Sequence, residues 1–431
     1  MTRFMPAGAL HGAYTPPPDK SISHRAALFG AMSSGPVVVR NYLDAGDTRS
    51  TLAAVTAIGA RVEERGGGDL VVHGVGLRGP SEAADAIDVG NAGTLLRLLP
   101  GWLAGQEGRS WTLDGDESIR RRPVDRVAEP LRRMGARLAA RDGRLPPLEV
   151  TGSALVGVDH ELAVASAQVK SCLLIAGLLA EGRTRVLEPA SSRDHTERML
   201  ARAGVALERE NGAVGVAQVE ELALDELVVP GDPSSAAFLV AAACVVPGSR
   251  LTVEGVGLNW TRTGFFQIAR RMGASIEGDL EPPGAFAAGE PIGCLEVEAR
   301  PLRGTTVEGA EVPLAIDELP LVALLGAFAD GETVVRGAAE LRVKESDRIA
   351  GVVDGLSGLD ADIEATDDGF VVRGSAGLRG GSLESRGDHR LAMLGAVAGL
   401  VSPEGVDVVG MDAAAVSYPG FELDLGRLLE R

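Results

Sequence analysis

A chain of 431 residues, 45% hydrophobic and 24% charged, has ample apolar material for a buried core and length for roughly two to three domains. Its 60 acidic residues against 42 basic give a net charge of −18, which argues against nucleic acid or an anionic membrane as partner. Any anionic ligand must therefore be met by a local basic pocket. The first residues, MTRFMPAGALHG, have neither the apolar core of a signal peptide nor the arginine- and serine-rich character of a transit peptide, so a cytoplasmic protein is expected.

The first marked element is PPPDKSISHRAALFGAM, residues 16–32. Three prolines end an extended segment, and Lys20, Ser21 and Arg25 then fall in the first turns of a predicted helix, with Ser21 and Arg25 on one face. A helix N-terminus offers free N–H groups and the positive end of its dipole. Adding an ammonium, a guanidinium and a hydroxyl makes a place suited to phosphate or carboxylate.

The design recurs along the chain. Apolar runs of helical length follow polar starts at Ser21, Asn91, Ser166, Ser234, Asp317 and Asp388, at intervals of 70, 75, 68, 83 and 71 residues. Each leads through a turn to a short strand. These helices are apolar nearly all round and should be buried. Amphipathic second helices follow, with terminal glycines at Gly59, Gly135, Gly204, Gly273 and Gly358, and FELDLGRLLER closes the chain. An α/β fold of six units is predicted, with buried helices inside and sheets around them. Pro230, Gly231 and Pro233 mark the clearest boundary. That gives an N-terminal domain over 15–229 and a C-terminal domain over 230–431, the latter expected to include a strand from 1–14.

Of the 42 basic residues only three are lysine, namely Lys20, Lys170 and Lys344, and all three are expected at helix starts. Lysine is a compact charge that can lose its proton, which suits proton transfer or close phosphate contact. Cys172, Cys244 and Cys294 read as buried small hydrophobes, and the six histidines lack metal-ligand spacing. Neither a disulfide framework nor a metal cluster is suggested.

If the polar helix starts of the two domains face one another, one site forms from Lys20, Ser21 and Arg25; Asn91, Gly93 and Thr94; Ser166, Gln168 and Lys170; Asp317; His389 and Arg390. For Ser166, Ser234 and Asp388, helix capping is the better individual reading. RRRPVDR adds Arg120, Arg121 and Arg122 before Pro123 at a predicted first helical position, SSRDHTERM adds Arg193, and LRVKESDR adds Lys344 and Arg348, expected on one helix face. Asp317 and Glu345 join Lys20 as proton-transfer candidates, tuned by neighbouring charges. Such a site predicts two small anionic substrates, at least one phosphorylated. Walker, Rossmann and Ser-His-Asp signatures are absent from the sequence.

Taken together, PPPDKSISHR, GNAGTLLR, RRRPVDR, SAQVKS, SRDHTERM, GDPSSAAF, IDELP, LRVKESDR and DHRLAM, in that order, make the chain resemble the enolpyruvyl transferase family over essentially its whole length. The resemblance implies a two-domain inside-out α/β barrel, each domain three repeated βαβαββ-type units, that closes on substrates like a clamp. It also implies transfer of the carboxyvinyl group of phosphoenolpyruvate to the 5-hydroxyl of shikimate 3-phosphate with release of phosphate. By position, Lys20, Ser21, Arg25, Ser166, Gln168, Arg193, Asp317 and Lys344 look like shikimate 3-phosphate ligands. Lys20, Gly93, Arg122, Gln168, Arg348 and Arg390 look like the phosphoenolpyruvate set. Asp317, Glu345 and Lys20 are similar to the family's proton-transfer residues, with no cofactor and a monomeric state implied.

Two departures stand out. Val416 occupies a position where many relatives carry a lysine, and Arg193 stands in for a tyrosine that some place near the substrate ring. Gly93 in NAGT is similar to the form that admits glyphosate, so inhibition is expected. Two alternatives stay open. One is the sister reaction on UDP-N-acetylglucosamine, against which residues 110–122 lack a reactive cysteine. The other is a non-catalytic anion-binding protein, against which Lys20, Asp317 and Glu345 are all retained.

Overall fold

One strand-and-helix pattern recurs along the chain, complete in five four-stranded sheets and shortened in a sixth of three strands. The computed structural model describes residues 1–374 and 377–429. Contacts divide the chain into an N-terminal unit, Pro18–Val229 with Phe286–Glu290, and a C-terminal unit, Met1–Pro17, Pro230–Ala285 and Pro291–Arg431.

The N-terminal unit has six α-helices among the described residues: α1 (Lys20–Met32), α2 (Gly46–Ala57), α3 (Gly93–Leu103), α4 (Asp125–Arg133), α5 (Ala167–Gly177) and α6 (His195–Arg202). It carries three four-stranded sheets of one topology. In the second, Ile87–Asp88 runs parallel to Ser110–Asp114, which pairs antiparallel with Leu145–Thr151, which pairs antiparallel with Arg137–Arg141. Asp159–Glu161, Arg183–Leu187, Ala213–Ala217 and Glu208–Glu210 repeat it. The remaining sheet takes its parallel edge strand, Glu226–Val228, from the far end of the segment, beside Pro36–Arg40.

The C-terminal unit holds α7 (Pro233–Val245), α8 (Gly264–Arg271), α9 (Val312–Ala315), α10 (Leu319–Ala327), α11 (Arg348–Ser357), α12 (His389–Gly399) and α13 (Phe421–Leu429). Here His11–Tyr14 is the parallel edge strand beside Arg250–Gly257, and Thr2–Phe4 pairs antiparallel with Val406–Val409. The strand preceding α1 in sequence thus completes a sheet of the C-terminal unit, while the one preceding α7 completes a sheet of the N-terminal unit.

Each unit buries its own core. Every residue of α7, α10 and α12 is buried, as is α1 from Ile22 to Met32. Full burial of a Leu or Phe side chain stabilises by roughly 1.5–3 kcal/mol, so helices apolar on all faces are stable only inside such a shell of sheets. The inner helices approach closely where a side chain is missing. A Cβ at Gly101 of α3 would lie 2.3 Å from the Cys172 carbonyl oxygen of α5.

The outer helices end largely as their glycines predict. Gly135, one residue past the end of α4 after Met134, has φ 100° and can take the left-handed turn that a side chain resists. Gly358 differs: it caps α11 in right-handed geometry, and Asp360 takes the positive φ of 77°. Other local expectations are also corrected. Asp232, not Ser234, caps α7, because Pro233 opens the helix and the Asp232 carboxylate accepts from the Ser234 N–H at 2.8 Å. Pro123 lies outside α4, which starts at Asp125 after Val124. Lys344 precedes α11 in extended geometry, since Asp347 caps that helix and Arg348 opens it. Cys172 and Cys244 are buried, but Cys294 is exposed on a strand. Burial raises both thiols, Cys244 to about 12.

Phe286–Glu290 is absent from the sequence-based N-terminal domain of 15–229. It groups there because Glu290 meets His195 at 2.7 Å and the Phe286 ring lies beneath the guanidinium groups of Arg198 and Arg209. Among the described residues no helix is long and apolar enough to cross a membrane.

Candidate active site

In the N-terminal unit the chain leaves Pro18 extended and turns into α1 because the Asp19 carboxylate accepts from the Ile22 N–H at 2.8 Å. That cap puts Lys20 at the first helical position, where its Nζ donates to Asp47 Oδ2 at 3.2 Å. Behind it, buried His24 shares a 2.6 Å hydrogen bond with Thr51 Oγ1. Burial, with a smaller push from Lys20 and Arg25 and opposed by Asp47, lowers the His24 pKa to about 4.

Arg25 is 2% exposed and spans two helices. Its Nε donates to Thr196 Oγ1 at 2.8 Å, Nη2 to Ser171 Oγ at 2.9 Å and Nη1 to the Ser21 carbonyl oxygen at 2.9 Å. Burial lowers its pKa to about 10, which still leaves it charged at neutral pH. Arg193 sits half-buried just before Asp194, the residue flanking α6.

A second group forms where α3 and α5 begin. Arg97 Nη1 donates to the Gly93 carbonyl oxygen and to Gln168 Oε1, both at 3.2 Å, and Gln168 Nε2 donates to Thr94 Oγ1 at 3.0 Å. Arg122 Nη2 donates to Asn91 Oδ1 at 2.7 Å. A Cβ at Gly93 would stand 2.9 Å from Arg122 Nη1 and 3.0 Å from Arg97 Nη1, so glycine leaves room for two guanidinium groups beside a helix N-terminus. Gly93, Arg122 and Gln168 were expected. Arg97 was not, although its spacing from Gly93 matches that of Arg25 from Ser21 and was the available signal.

Ser166 caps α5, its Oγ accepting from the Val169 N–H at 3.4 Å. Lys170 does not join the open anion-facing set. It is buried, with Nζ 2.7 Å from Glu188 Oε2 and 2.8 Å from Glu197 Oε1. Neither glutamate was recognised in the sequence, and no spacing signal marks them.

In the C-terminal unit the fully buried guanidinium of Arg348 is the hub. Its Nε donates to Asp388 Oδ2 at 2.8 Å, Nη1 to Asp317 Oδ1 at 3.0 Å and Nη2 to Glu345 Oε2. Burial alone would lower its pKa, but Asp388, Glu345 and Asp317 outweigh this and raise it. Asp317 also faces Arg390 Nη2 at 3.3 Å and Lys344 Nζ at 3.7 Å, and Glu318 lies 3.9 Å from Arg390 Nη1. Asp388 is more than the expected cap. It accepts from the Arg390 N–H at 2.9 Å and from Ser346 Oγ at 3.0 Å while holding Arg348. Burial works to raise its carboxyl pKa, yet Arg348 holds it below the ordinary value.

The structure therefore gathers Asp317, Lys344, Glu345, Arg348 and Arg390 in one unit, and Lys20, Ser21, Arg25, Gly93, Arg122, Ser166, Gln168 and Arg193 in the other. Within the second, Lys20 pairs with Asp47 while the α3–α5 group forms its own network. Among the described residues no group of three or more His, Cys, Asp and Glu side chains is arranged to hold a metal ion.

Repeated βαβαββ-type units, the last of them shortened to a three-stranded sheet, with cations and hydroxyls at the starts of buried helices define the enolpyruvyl transferase class of α/β protein. A family model described as EPSP synthase (3-phosphoshikimate 1-carboxyvinyltransferase) matches residues 5–425, and the chain belongs to that family. It is 46% identical over 427 residues to the 3-phosphoshikimate 1-carboxyvinyltransferase of Synechococcus sp. (strain JA-3-3Ab), covering 98% of this chain and 96% of the relative. The same-named protein of Methylococcus capsulatus is 47% identical over 425 residues, again with 98% and 96% coverage. A solved structure of EPSP synthase from Acinetobacter baumannii superposes with a TM-score of 0.87 at 40% identity, covering 99% of this chain and 97% of that one.

Proposed function

We propose that this chain transfers the enolpyruvyl group of phosphoenolpyruvate to the 5-hydroxyl of shikimate 3-phosphate, releasing inorganic phosphate. The observation that carries the reading is the Asp317 carboxylate held by Arg348 at 3.0 Å and Arg390 at 3.3 Å, a base candidate among cations suited to an anionic substrate. Family membership over residues 5–425 supplies the reaction class and disfavours UDP-N-acetylglucosamine as acceptor.

The chemistry is addition followed by elimination. The 5-hydroxyl oxygen attacks C2 of phosphoenolpyruvate as its proton leaves, while C3 takes up a proton. The resulting tetrahedral ketal phosphate loses a proton from C3 and expels phosphate, restoring the double bond. Lys20, Ser21, Arg25, Ser166, Gln168, Arg193, Asp317 and Lys344 are assigned to shikimate 3-phosphate. Lys20, Gly93, Arg122, Gln168, Arg348 and Arg390 are assigned to phosphoenolpyruvate, with Asp317, Glu345 and Lys20 moving protons. Guanidinium groups already paired with carboxylates suit this work, because their orientation is fixed before the anion arrives. Glyphosate is proposed as an inhibitor at the phosphoenolpyruvate contacts. The protein is proposed to act in the cytoplasm, since both substrates are charged metabolites, and as a monomer, which the family resemblance implies.

Phosphate release from phosphoenolpyruvate with shikimate 3-phosphate, with UDP-N-acetylglucosamine and with no acceptor tests the reading. Release only with shikimate 3-phosphate is expected, and release with neither acceptor overturns it. Asp317→Ala should retain weakened binding of shikimate 3-phosphate while kcat falls by about 10²–10⁴. Full turnover of that variant would remove Asp317 from the mechanism.

A further inference from the structure

Lys170 is one of only three lysines in the chain, and the substrate contacts assigned above leave it out. Its side chain is 4% exposed and lies between two carboxylates, Glu188 and Glu197, that are 5% and 2% exposed. These groups come from three elements: Lys170 from the first turns of α5, Glu188 just past the strand Arg183–Leu187, and Glu197 from the first turn of α6. Glu188 reaches further. Its Oε1 accepts from the Ser166 N–H at 3.0 Å and from Ser192 Oγ at 2.7 Å, and Lys170 Nζ donates to the Ser192 carbonyl oxygen at 3.4 Å. Ser192 immediately precedes Arg193. One ammonium therefore holds, through Glu188, the Ser166 N–H and, directly, the carbonyl that precedes Arg193, two residues assigned to shikimate 3-phosphate.

We propose that Lys170 is a positioning residue for shikimate 3-phosphate, acting through Glu188 on Ser166 and through Ser192 on Arg193; this rests on the functional reading above. Buried ion groups rarely add stability over a well-packed apolar alternative, so three of them at this place need another reason. Electrostatics supplies one. Two carboxylates behind an anion-binding helix start repel a phosphate, and an ammonium between them offsets half of that charge and draws their backbone partners into place. An apolar side chain at Lys170 could fill the volume but could perform neither task. The neighbouring layer acts in the same direction, because Ser171 and Thr196, each next to a member of the cluster, orient the Arg25 guanidinium.

The test compares wild type with Lys170→Gln and Glu188→Ala, the second of which keeps a neutral Lys170–Glu197 pair and so guards against a folding failure. In either folded variant the KM for shikimate 3-phosphate should rise about tenfold, while kcat and the KM for phosphoenolpyruvate stay within about threefold. Amide exchange at Ser166 and around Arg193 should accelerate about tenfold, with Gly93–Leu103 unchanged. A purely structural role would lower stability without that split between the two KM values. A folded variant in which both KM values rise together, or in which neither moves, overturns the proposal. Should the wild type neither bind nor turn over shikimate 3-phosphate, the functional reading falls on its own, and unchanged exchange at Ser166 and Arg193 would then overturn the role of Lys170.

Discussion

At Gly93 the absence of a side chain is what lets two guanidinium groups stand at one helix start. A methyl there meets the far ends of Arg122 and Arg97, both flexible, so Gly93→Ala should shift those groups and not the backbone. Folding stability should change by less than about 1 kcal/mol, while the KM for phosphoenolpyruvate rises about tenfold and that for shikimate 3-phosphate holds. Steady-state kinetics with each substrate varied in turn checks this, and glyphosate inhibition should weaken in the same variant. His24 gives a pH dependence with a definite sign. Its pKa is about 4 in the fold, lowered mainly by burial, against about 6.5 in the unfolded chain. Below pH 6.5 the unfolded chain therefore takes up a proton that the fold refuses until pH 4. The contribution is full above pH 6.5 and falls by about 2 kcal/mol by pH 5. In His24→Gln the loss of stability between pH 7 and pH 5, read from urea midpoints, should be smaller by about that amount. At this scale much of the candidate site was legible. Lys20, Arg25, Gly93, Asp317, Arg348 and Arg390 carry charges or a missing side chain in or just before the first turns of their helices, a pattern visible without coordinates, whereas Arg122 ends a short turn ahead of α4. Glu188 and Glu197 were not legible, because they lie 18 and 27 residues beyond Lys170 and only folding brings them to it.

Among the elements, the inner helices were the clearest in sequence, since runs such as SSAAFLVAAACV have no polar face to expose. Their ends were less clear. Asp232 competes with Ser234 for the cap of α7, and Asp347 stops α11 from reaching back to Lys344, so Lys344 and Arg348 do not share a helix face although both meet Asp317. Helix packing was not legible at all, because it depends on which small residue faces which backbone. The α3–α5 contact is the sharpest case. The Cβ of an alanine at Gly101 would sit 2.3 Å from the Cys172 carbonyl oxygen, a backbone atom that cannot swing aside. Gly101→Ala should therefore push the two helices apart and cost about 1–3 kcal/mol or more, measured by urea denaturation. The same separation should strain the Arg97–Gln168 hydrogen bond of 3.2 Å and raise the KM for phosphoenolpyruvate. A variant as stable as wild type would mean that the helices have slack at this crossing.

Over the whole molecule, six repeats are readable from the spacing of their starts and a strand from 1–14 was expected in the C-terminal domain, but the strand that each exchanged edge strand pairs with is not readable. A short segment such as HGAY carries nothing that names its partner, and a parallel edge strand can be supplied from any part of the chain. The exchange makes the N-terminal seventeen residues part of the C-terminal unit, where Leu10 is fully buried and His11–Tyr14 covers the edge of Arg250–Gly257. Thr2–Phe4 likewise covers the edge of Val406–Val409. Deleting residues 1–14 should thus strip two strands and the Leu10 and Tyr14 side chains from one core while leaving the other core's residues intact. From the apolar burial alone the loss is about 3–6 kcal/mol, a large share of a typical folding free energy. Amide exchange separates the possibilities. Faster exchange in Arg250–Gly257 and Val406–Val409, with protection kept in Pro36–Arg40 and Asp69–His73, means that each unit is stable on its own core. Equal loss of protection in all four strands means instead that the four chain crossings, after residues 17, 229, 285 and 290, couple the two units into one cooperative fold. The separate cores favour the first outcome, since no residue removed by the deletion belongs to the buried cluster of the N-terminal unit.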